Sequence, residues 1–215
     1  MGPWTTVVRR VEDPGALEEA LAWLHRSEVV AFPTDTVYGL GASIADEVAL
    51  ERLFAAKGRP EERGMPLLLA DAEYVERFCR EIPPAARTLM RHFWPGGLTL
   101  VLWRSEAVPV RLTGGQPTVA VRVPDHPVPR ALARALGGAV PGTSANRSGE
   151  PAPATAREVL EQLGGRIPFI LDGGRCRSER PSTVLDLTQD PPKILRSGPV
   201  SRAALEEVLG YRLAE

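Results

Sequence analysis

The sequence predicts an α/β or α+β sheet protein, and three observations carry that expectation. The first is a β-α-β opening. Residues 4–11 alternate weakly as a strand, Leu17, Leu21 and Leu24 keep a helical stripe, and Glu28 to Phe32 is a short apolar strand. The second is the recurrence of strand-like runs such as Leu98–Trp103 and Phe169–Asp172 between helical segments. The third is the placing of polar groups. The run Val29–Phe32 stops at Pro33, then Thr34, Asp35 and Thr36 follow, and Gly39 and Gly41 flank Leu40. Proline fixes φ and lacks an N–H, so the strand does not continue there as a central ladder strand. Polar side chains just past the carboxyl end of an apolar strand are where open α/β sheets bind ligands. An ordinary hydroxyl-rich strand–turn–strand linker has the same composition.

The 215 residues suit one large domain with a sizeable core. A formal net charge of −1 sets up no global field for nucleic acid or an acidic membrane. Cys79 and Cys176 lie far apart, without CxxC or Cys/His spacing, so two reduced thiols are expected rather than zinc or a disulfide framework. No apolar run has transmembrane length and the N-terminus shows no signal-peptide pattern, which gives a cytoplasmic expectation. The basic residues are almost all arginine; lysine occurs only at Lys57 and Lys193. A retained lysine marks a place where a compact ammonium fits and a guanidinium fork does not.

Along the chain, Asp13-Pro14 opens the first helix as N-cap and first-turn proline. A second helix runs from about Asp46 to Lys57. Leu50, Leu53 and Phe54 form its inward stripe, and Lys57 is the next position on that stripe. Gly58 and Pro60 end the helix and put Arg59 in the following turn. The same spacing also suits a Lys57 that caps the helix dipole beside a surface Arg59. Glu61–Gly64 reads as a polar loop, and Pro66–Leu69 as a short buried strand. Helical segments over 71–80 and 83–93 follow, with Arg87, Arg91 and His92 solvated. Trp94-Pro95-Gly96-Gly97 is a sharp turn.

In the strand Thr118–Pro124, Thr118, Ala120 and Arg122 share one face and Val119, Val121 and Val123 the other, so Arg122 reads as an exposed edge-strand charge. A helix from Pro127 to about Leu136 ends at Gly137-Gly138. The strand Ala139–Pro141 then runs into Gly142–Gly149, where extended backbone would project Ser144 and Asn146 together, or an Asx/Ser turn would cap its own backbone. Thr155 N-caps a helix to about Gly164, with Glu158 completing a capping box. A charged loop over 175–181 leads to the half-buried strand Ser182–Leu187. Lys193–Gly198 is the last strand and turn, and Ser201 caps a terminal helix with Leu205, Val208 and Leu209 inward.

Familiar catalytic signatures are missing. There is no GxxxxGK[ST] loop, no HExxH, and Ile44 stands where a dinucleotide fingerprint wants its third glycine. What remains is a set of cations, Lys57, Arg59, Arg122 and Arg196, with the directional groups Thr34, Ser144, Asn146 and Ser182. Such a set suits phosphate recognition and reactions driven by positioning and electrostatics. Spacing does not show that these residues converge.

Seven motifs in order resemble the YrdC family: Pro33–Leu40, Lys57-Gly58-Arg59-Pro60, Trp94–Thr99, Val119–Arg122, Ser144-Ala145-Asn146, Ser182-Thr183-Val184 and Leu195–Gly198. The resemblance spans about 6–200. It implies a twisted mixed sheet with surrounding helices and a concave ligand-binding face. It implies an L-threonylcarbamoyladenylate synthase activity, in which L-threonine, bicarbonate and ATP give threonylcarbamoyl-AMP and pyrophosphate, with Mg²⁺ on the triphosphate. The product would pass to a tRNA threonylcarbamoyltransferase complex for t6A37 formation. By the same resemblance Lys57, Arg59, Thr118, Ser144, Asn146 and Arg196 would hold ATP, with Lys57 and Arg59 catalytic, and Thr34, Arg122 and Ser182 would hold threonine. The chain is expected as one domain over 1–215, its core about 6–200 and a C-terminal helix at 201–210, without the second domain of longer members. The Glu61–Met65 loop departs from the commoner family form. The competing expectations are a double-stranded RNA- or tRNA-binding module, with weak RNA binding, and a related carbamoyl-transferring domain. Arginine abundance favours the RNA reading; 6% aromatic residues and the slightly negative charge oppose it.

Overall fold

The mixed α/β class holds, and the strands divide into two hydrogen-bonded sheets. The structure is a computed structural model that describes residues 4–214 except 59, 61 and 63. In chain order the strands are β1 (Val7–Arg10), β2 (Val30–Phe32), β3 (Gly39–Gly41), β4 (Leu67–Leu69), β5 (Cys79–Arg80), β6 (Leu98–Arg104), β7 (Thr118–Arg122), β8 (Ala139–Pro141), β9 (Thr143–Ser144), β10 (Phe169–Asp172), β11 (Thr183–Asp186) and β12 (Lys193–Arg196). The helices are α1 (Ala16–Leu24), α2 (Glu47–Lys57), α3 (Val75–Phe78), α4 (Pro84–Phe93), α5 (Pro127–Ala135), α6 (Ala156–Leu163) and α7 (Arg202–Leu209).

The smaller sheet has the order β1-β10-β2-β3-β9, parallel from β1 to β2 and antiparallel beyond. The larger runs β12-β11-β6-β7-β4-β8, with β5 on β6. The two sheets meet where the chain passes from β8 to β9 across Gly142. A Cβ on Gly142 would lie 2.2 Å from Leu68 Cγ, so only glycine lets the backbone change sheets there. The antiparallel β2–β3 hairpin therefore faces the larger sheet across that crossing, and its turn, 33–38, sits at the junction.

Two apolar clusters hold this frame. Ala16, Ala20 and Leu24 of α1 pack with Phe32, Phe169 and Leu132 on one side of the smaller sheet. The main cluster joins α2, α4 and α7 to the larger sheet through Leu50, Leu53, Leu89, Leu100 and Leu205. Burial of such side chains is the dominant favourable term of folding.

Several expectations change in detail. Helix α1 starts at Ala16 rather than at Asp13-Pro14, with Gly15 at φ 79° as an uncapped N-cap. Asp13 is engaged earlier, its carboxylate accepting from Arg10 N at 3.1 Å. The fully buried face of α1 is Ala16, Ala20 and Leu24, because small side chains let the helix lie close to the sheet; Leu17 and Leu21 are half-buried. The helical reading of 71–80 stops at Phe78, since Cys79 and Arg80 pair with Arg104 and Trp103 as a short strand. Helix α2 follows the pattern: the Asp46 side chain accepts from Val48 N and Ala49 N, and Gly58 ends it at φ 59°. In α6 Thr155 accepts from Glu158 N, but the Glu158 carboxylate reaches Ala154 N, one residue before the reciprocal capping-box partner.

Candidate active site

The turn after β2 is fixed by its own hydroxyls. Thr34 Oγ1 donates to Val37 O at 2.7 Å and accepts from Thr36 N at 3.0 Å. Its one proton is thereby used, so the 3.0 Å contact with Thr36 Oγ1 has Thr36 as donor. The Thr34 side chain lines the cleft described below, while its oxygen is filled by the turn it sits in.

Arg122 corrects the edge-strand reading. It is 4% exposed, because β7 lies between β6 and β4 inside the larger sheet and its carboxyl end abuts the 33–38 turn. Nη1 donates to both Asp35 carboxylate oxygens at 3.0 and 3.1 Å and to Gly96 O at 3.1 Å. Nη2 donates to Thr36 Oγ1 at 3.1 Å. Burial lowers the Arg122 pKa and the Asp35 carboxylate opposes that shift. A guanidinium stays protonated regardless. With both Nη1 hydrogens and one Nη2 hydrogen engaged, the second hydrogen of Nη2 and the Nε hydrogen lie outside these bonds.

Ser182 and Arg196 come together at the opposite wall. Arg196 Nε donates to Ser182 O at 2.9 Å and Nη2 to Ser182 Oγ at 3.0 Å. Thr99 Oγ1 lies 2.7 Å from the same Ser182 oxygen. Partial burial first, and the neighbouring Arg122 charge second, lower the Arg196 pKa.

Lys57 brings the 144–146 loop under control from behind. Its ammonium donates to Ser144 O at 2.5 Å, Asn146 O at 3.0 Å and Asn146 Oδ1 at 3.3 Å. Asn146 Nδ2 donates onward to Arg147 O and Glu150 O. Lys57 is 2% exposed and stands behind the cleft wall that Ser144 forms. Ammonium 57 and residue 144 thus share one side of the molecule. Arg59, Glu61 and Arg63 lie outside the described residues.

A cleft of about 130 Å³ gathers Thr34, Arg122, Ser144, Ser182 and Arg196. Among the described residues two arginines and no carboxylate line it. A trough of about 340 Å³ adjoins it on the face of β6 and β7, lined by Thr118, Ala120, Val101, Val184 and Leu195, and Pro66, Thr99 and Arg196 border both. Lys57 and Asn146 support the rim rather than line either space. Sequence reasoning missed Asp35, Thr36 and Thr99 as site members. Asp35 and Thr36 stand in the polar turn that follows Val29–Phe32, but their partner is 87 and 86 residues away, a distance that spacing does not resolve. Among the described residues no group of three or more His, Cys, Asp or Glu could hold a metal ion. No described helix is long and apolar enough to cross a membrane.

Comparison with known proteins follows the same geometry. The Sua5/YciO/YrdC family model, described as telomere recombination, matches residues 22–198. A threonylcarbamoyl-AMP synthase of Pyrococcus abyssi is 45% identical over 89% of this chain and 56% of its own length. The chain therefore spans little more than half of that relative. A threonylcarbamoyl-AMP synthase of Thiobacillus denitrificans is 40% identical over 85% of this chain and 96% of its own. The crystal structure of P. abyssi Sua5 complexed with L-threonine superposes with a TM-score of 0.89 at 43% identity, covering 97% of this chain and 62% of that one.

Proposed function

The chain belongs to the Sua5/YciO/YrdC family, and we propose that it is an L-threonylcarbamoyladenylate synthase, a nucleotidyltransferase that makes threonylcarbamoyl-AMP and pyrophosphate from L-threonine, bicarbonate and ATP. One observation carries the reading: among the described residues, Arg122 and Arg196 face a single small cleft with Ser144 and Ser182 and without a lining carboxylate. That environment favours a ligand bearing several negative oxygens.

In this reading Arg122 pairs the threonine carboxylate, Ser182 donates beside it, and Thr34 shapes the turn against which the side chain packs. The triphosphate lies along Arg196 and Ser144. Thr118 and the apolar trough border the nucleotide. Arg59 is the catalytic cation of this reading, and Lys57, from its position under the loop, serves it as a positioning residue that holds Ser144 and Asn146 in place. The carbamate oxygen attacks the α-phosphorus in line, the new O–P bond forms as the bond to the β-phosphate bridge breaks, and pyrophosphate leaves. Juxtaposition of the two reactants lowers the entropic barrier, and the cations stabilise charge on the phosphoryl oxygens and leaving group. Mg²⁺ enters as part of the nucleotide substrate and is held by its phosphates.

We further propose one YrdC-like domain, cytoplasmic residence, and delivery of the adenylate to a tRNA threonylcarbamoyltransferase complex for t6A37 synthesis. Pyrophosphate release tests the reading: it is expected only when ATP, L-threonine and bicarbonate are all present. Release without threonine would overturn the reading, and no release together with tight, salt-sensitive RNA binding would replace the synthase by an RNA-binding function.

A further inference from the structure

Thr99 borders both the cleft and the trough, yet has no role in the reading above. It is 3% exposed, and its hydroxyl has Ser182 Oγ, at 2.7 Å, as its side-chain partner among the described residues. Arg196 Nη2 donates to that same serine oxygen. A guanidinium only donates, so this bond fills one of the two acceptor positions of Ser182. The direction of the Thr99–Ser182 bond then decides what Ser182 does. Were Ser182 to donate to Thr99, the proton of the 3% exposed threonine would have no acceptor among the described residues, which is costly. If Thr99 donates, both acceptor positions of Ser182 are full, and the serine proton is directed at whatever occupies the cleft.

We propose that Thr99 is a positioning residue that commits Ser182 to donate, so that the cleft reads an anionic oxygen of its amino-acid substrate at that point. The inference rests on the reading that Ser182 meets the amino acid. Charge-assisted bonds to a carboxylate or carbamate are stronger than neutral ones, so a fixed donor selects for them.

The test uses Thr99→Val, which keeps the shape and removes the hydroxyl, and Thr99→Ser, which keeps the hydroxyl. Pyrophosphate release is measured with threonine and ATP varied separately. Thr99→Val is expected to raise the threonine KM about tenfold while the ATP KM stays within about twofold, and Thr99→Ser to stay near the unmodified protein. In a Ser182→Ala background Thr99→Val is expected to add nothing, because the two hydroxyls act as one unit. An unchanged threonine KM, an equal rise in both KM values, or failure of Thr99→Ser to match the unmodified protein would overturn the inference. Calorimetric titration with L-threonine alone separates it from the synthase reading. Weaker binding by Thr99→Val supports the inference even where no pyrophosphate is released, and equal binding, or no binding by the unmodified protein, overturns it.

Discussion

Arg122 and Arg196 line the same cleft but are held in opposite ways. Arg122 is 4% exposed and is clamped by Asp35, Thr36 and Gly96, whereas Arg196 is exposed on the edge strand β12 and is held by Ser182. One cation is part of the framework, its guanidinium fixed by three protein partners. The other sits exposed on an edge strand and is held through Ser182. The contrast matches the two jobs proposed for them: a small amino acid needs a rigid seat, and a triphosphate that must lose pyrophosphate needs a partner that follows the charge.

The largest effect that can break this contrast is expected for Arg122→Ala. It leaves the Asp35 carboxylate, 7% exposed, without its partner, and urea unfolding should show a loss of about 3–5 kcal/mol. A loss below about 1 kcal/mol would mean the pair behaves like a surface ion pair. Next is Gly142→Ala, beside the fixed wall. The added Cβ overlaps Leu68 Cγ at 2.2 Å, and overpacking of this kind costs about 1–3 kcal/mol by the same measurement. Full stability in that variant would show that the sheet crossing is soft.

A smaller effect comes from His126, whose Nδ1 accepts from Val128 N at the start of α5. Burial lowers its pKa from 6.5; Asp35 and Asp125 oppose that shift, and Arg177 adds to it. The folded state thus favours neutral imidazole, and the unfolded state takes up the proton first. Stability from this group is present above about pH 6.5 and is lost as pH falls through the lowered folded value. His126→Asn, which keeps an acceptor at the cap, should flatten the stability profile over that window. A profile identical to that of the unmodified protein would remove His126 from the account. The smallest effect is expected for Arg196→Ala, within about 1 kcal/mol of stability, because the side chain is exposed. A loss as large as that of Arg122→Ala would erase the contrast.

The element order was largely legible in the sequence because periodicity and capping are local. Asp46 and Gly58 bound α2 as their residue types require, and Ser201 caps α7 by accepting from Ala204 N. What was not legible depends on contacts between distant segments. Whether a strand is central or at an edge is a property of the sheet order, so the alternation Thr118–Arg122 named the face of Arg122 but not its burial. The Asp35–Arg122 clamp joins the two sheets, and neither half of the pair identifies the other. Lys57 was placed correctly beside the core face of α2. Its acceptors are backbone carbonyls of Ser144 and Asn146, which carry no side-chain signature. Division into two sheets follows from Gly142, a glycine that reads in sequence as one more turn residue.

Steady-state pyrophosphate release from Arg122→Lys and Arg196→Lys, with L-threonine and ATP varied separately, puts the division of labour to the test. Lysine keeps each charge and removes the guanidinium fork. Arg122→Lys should raise the threonine KM by about tenfold or more and leave the ATP KM nearly unchanged, while Arg196→Lys should move mainly the ATP KM. The reverse pattern, or equal shifts of both KM values in both variants, would contradict the account.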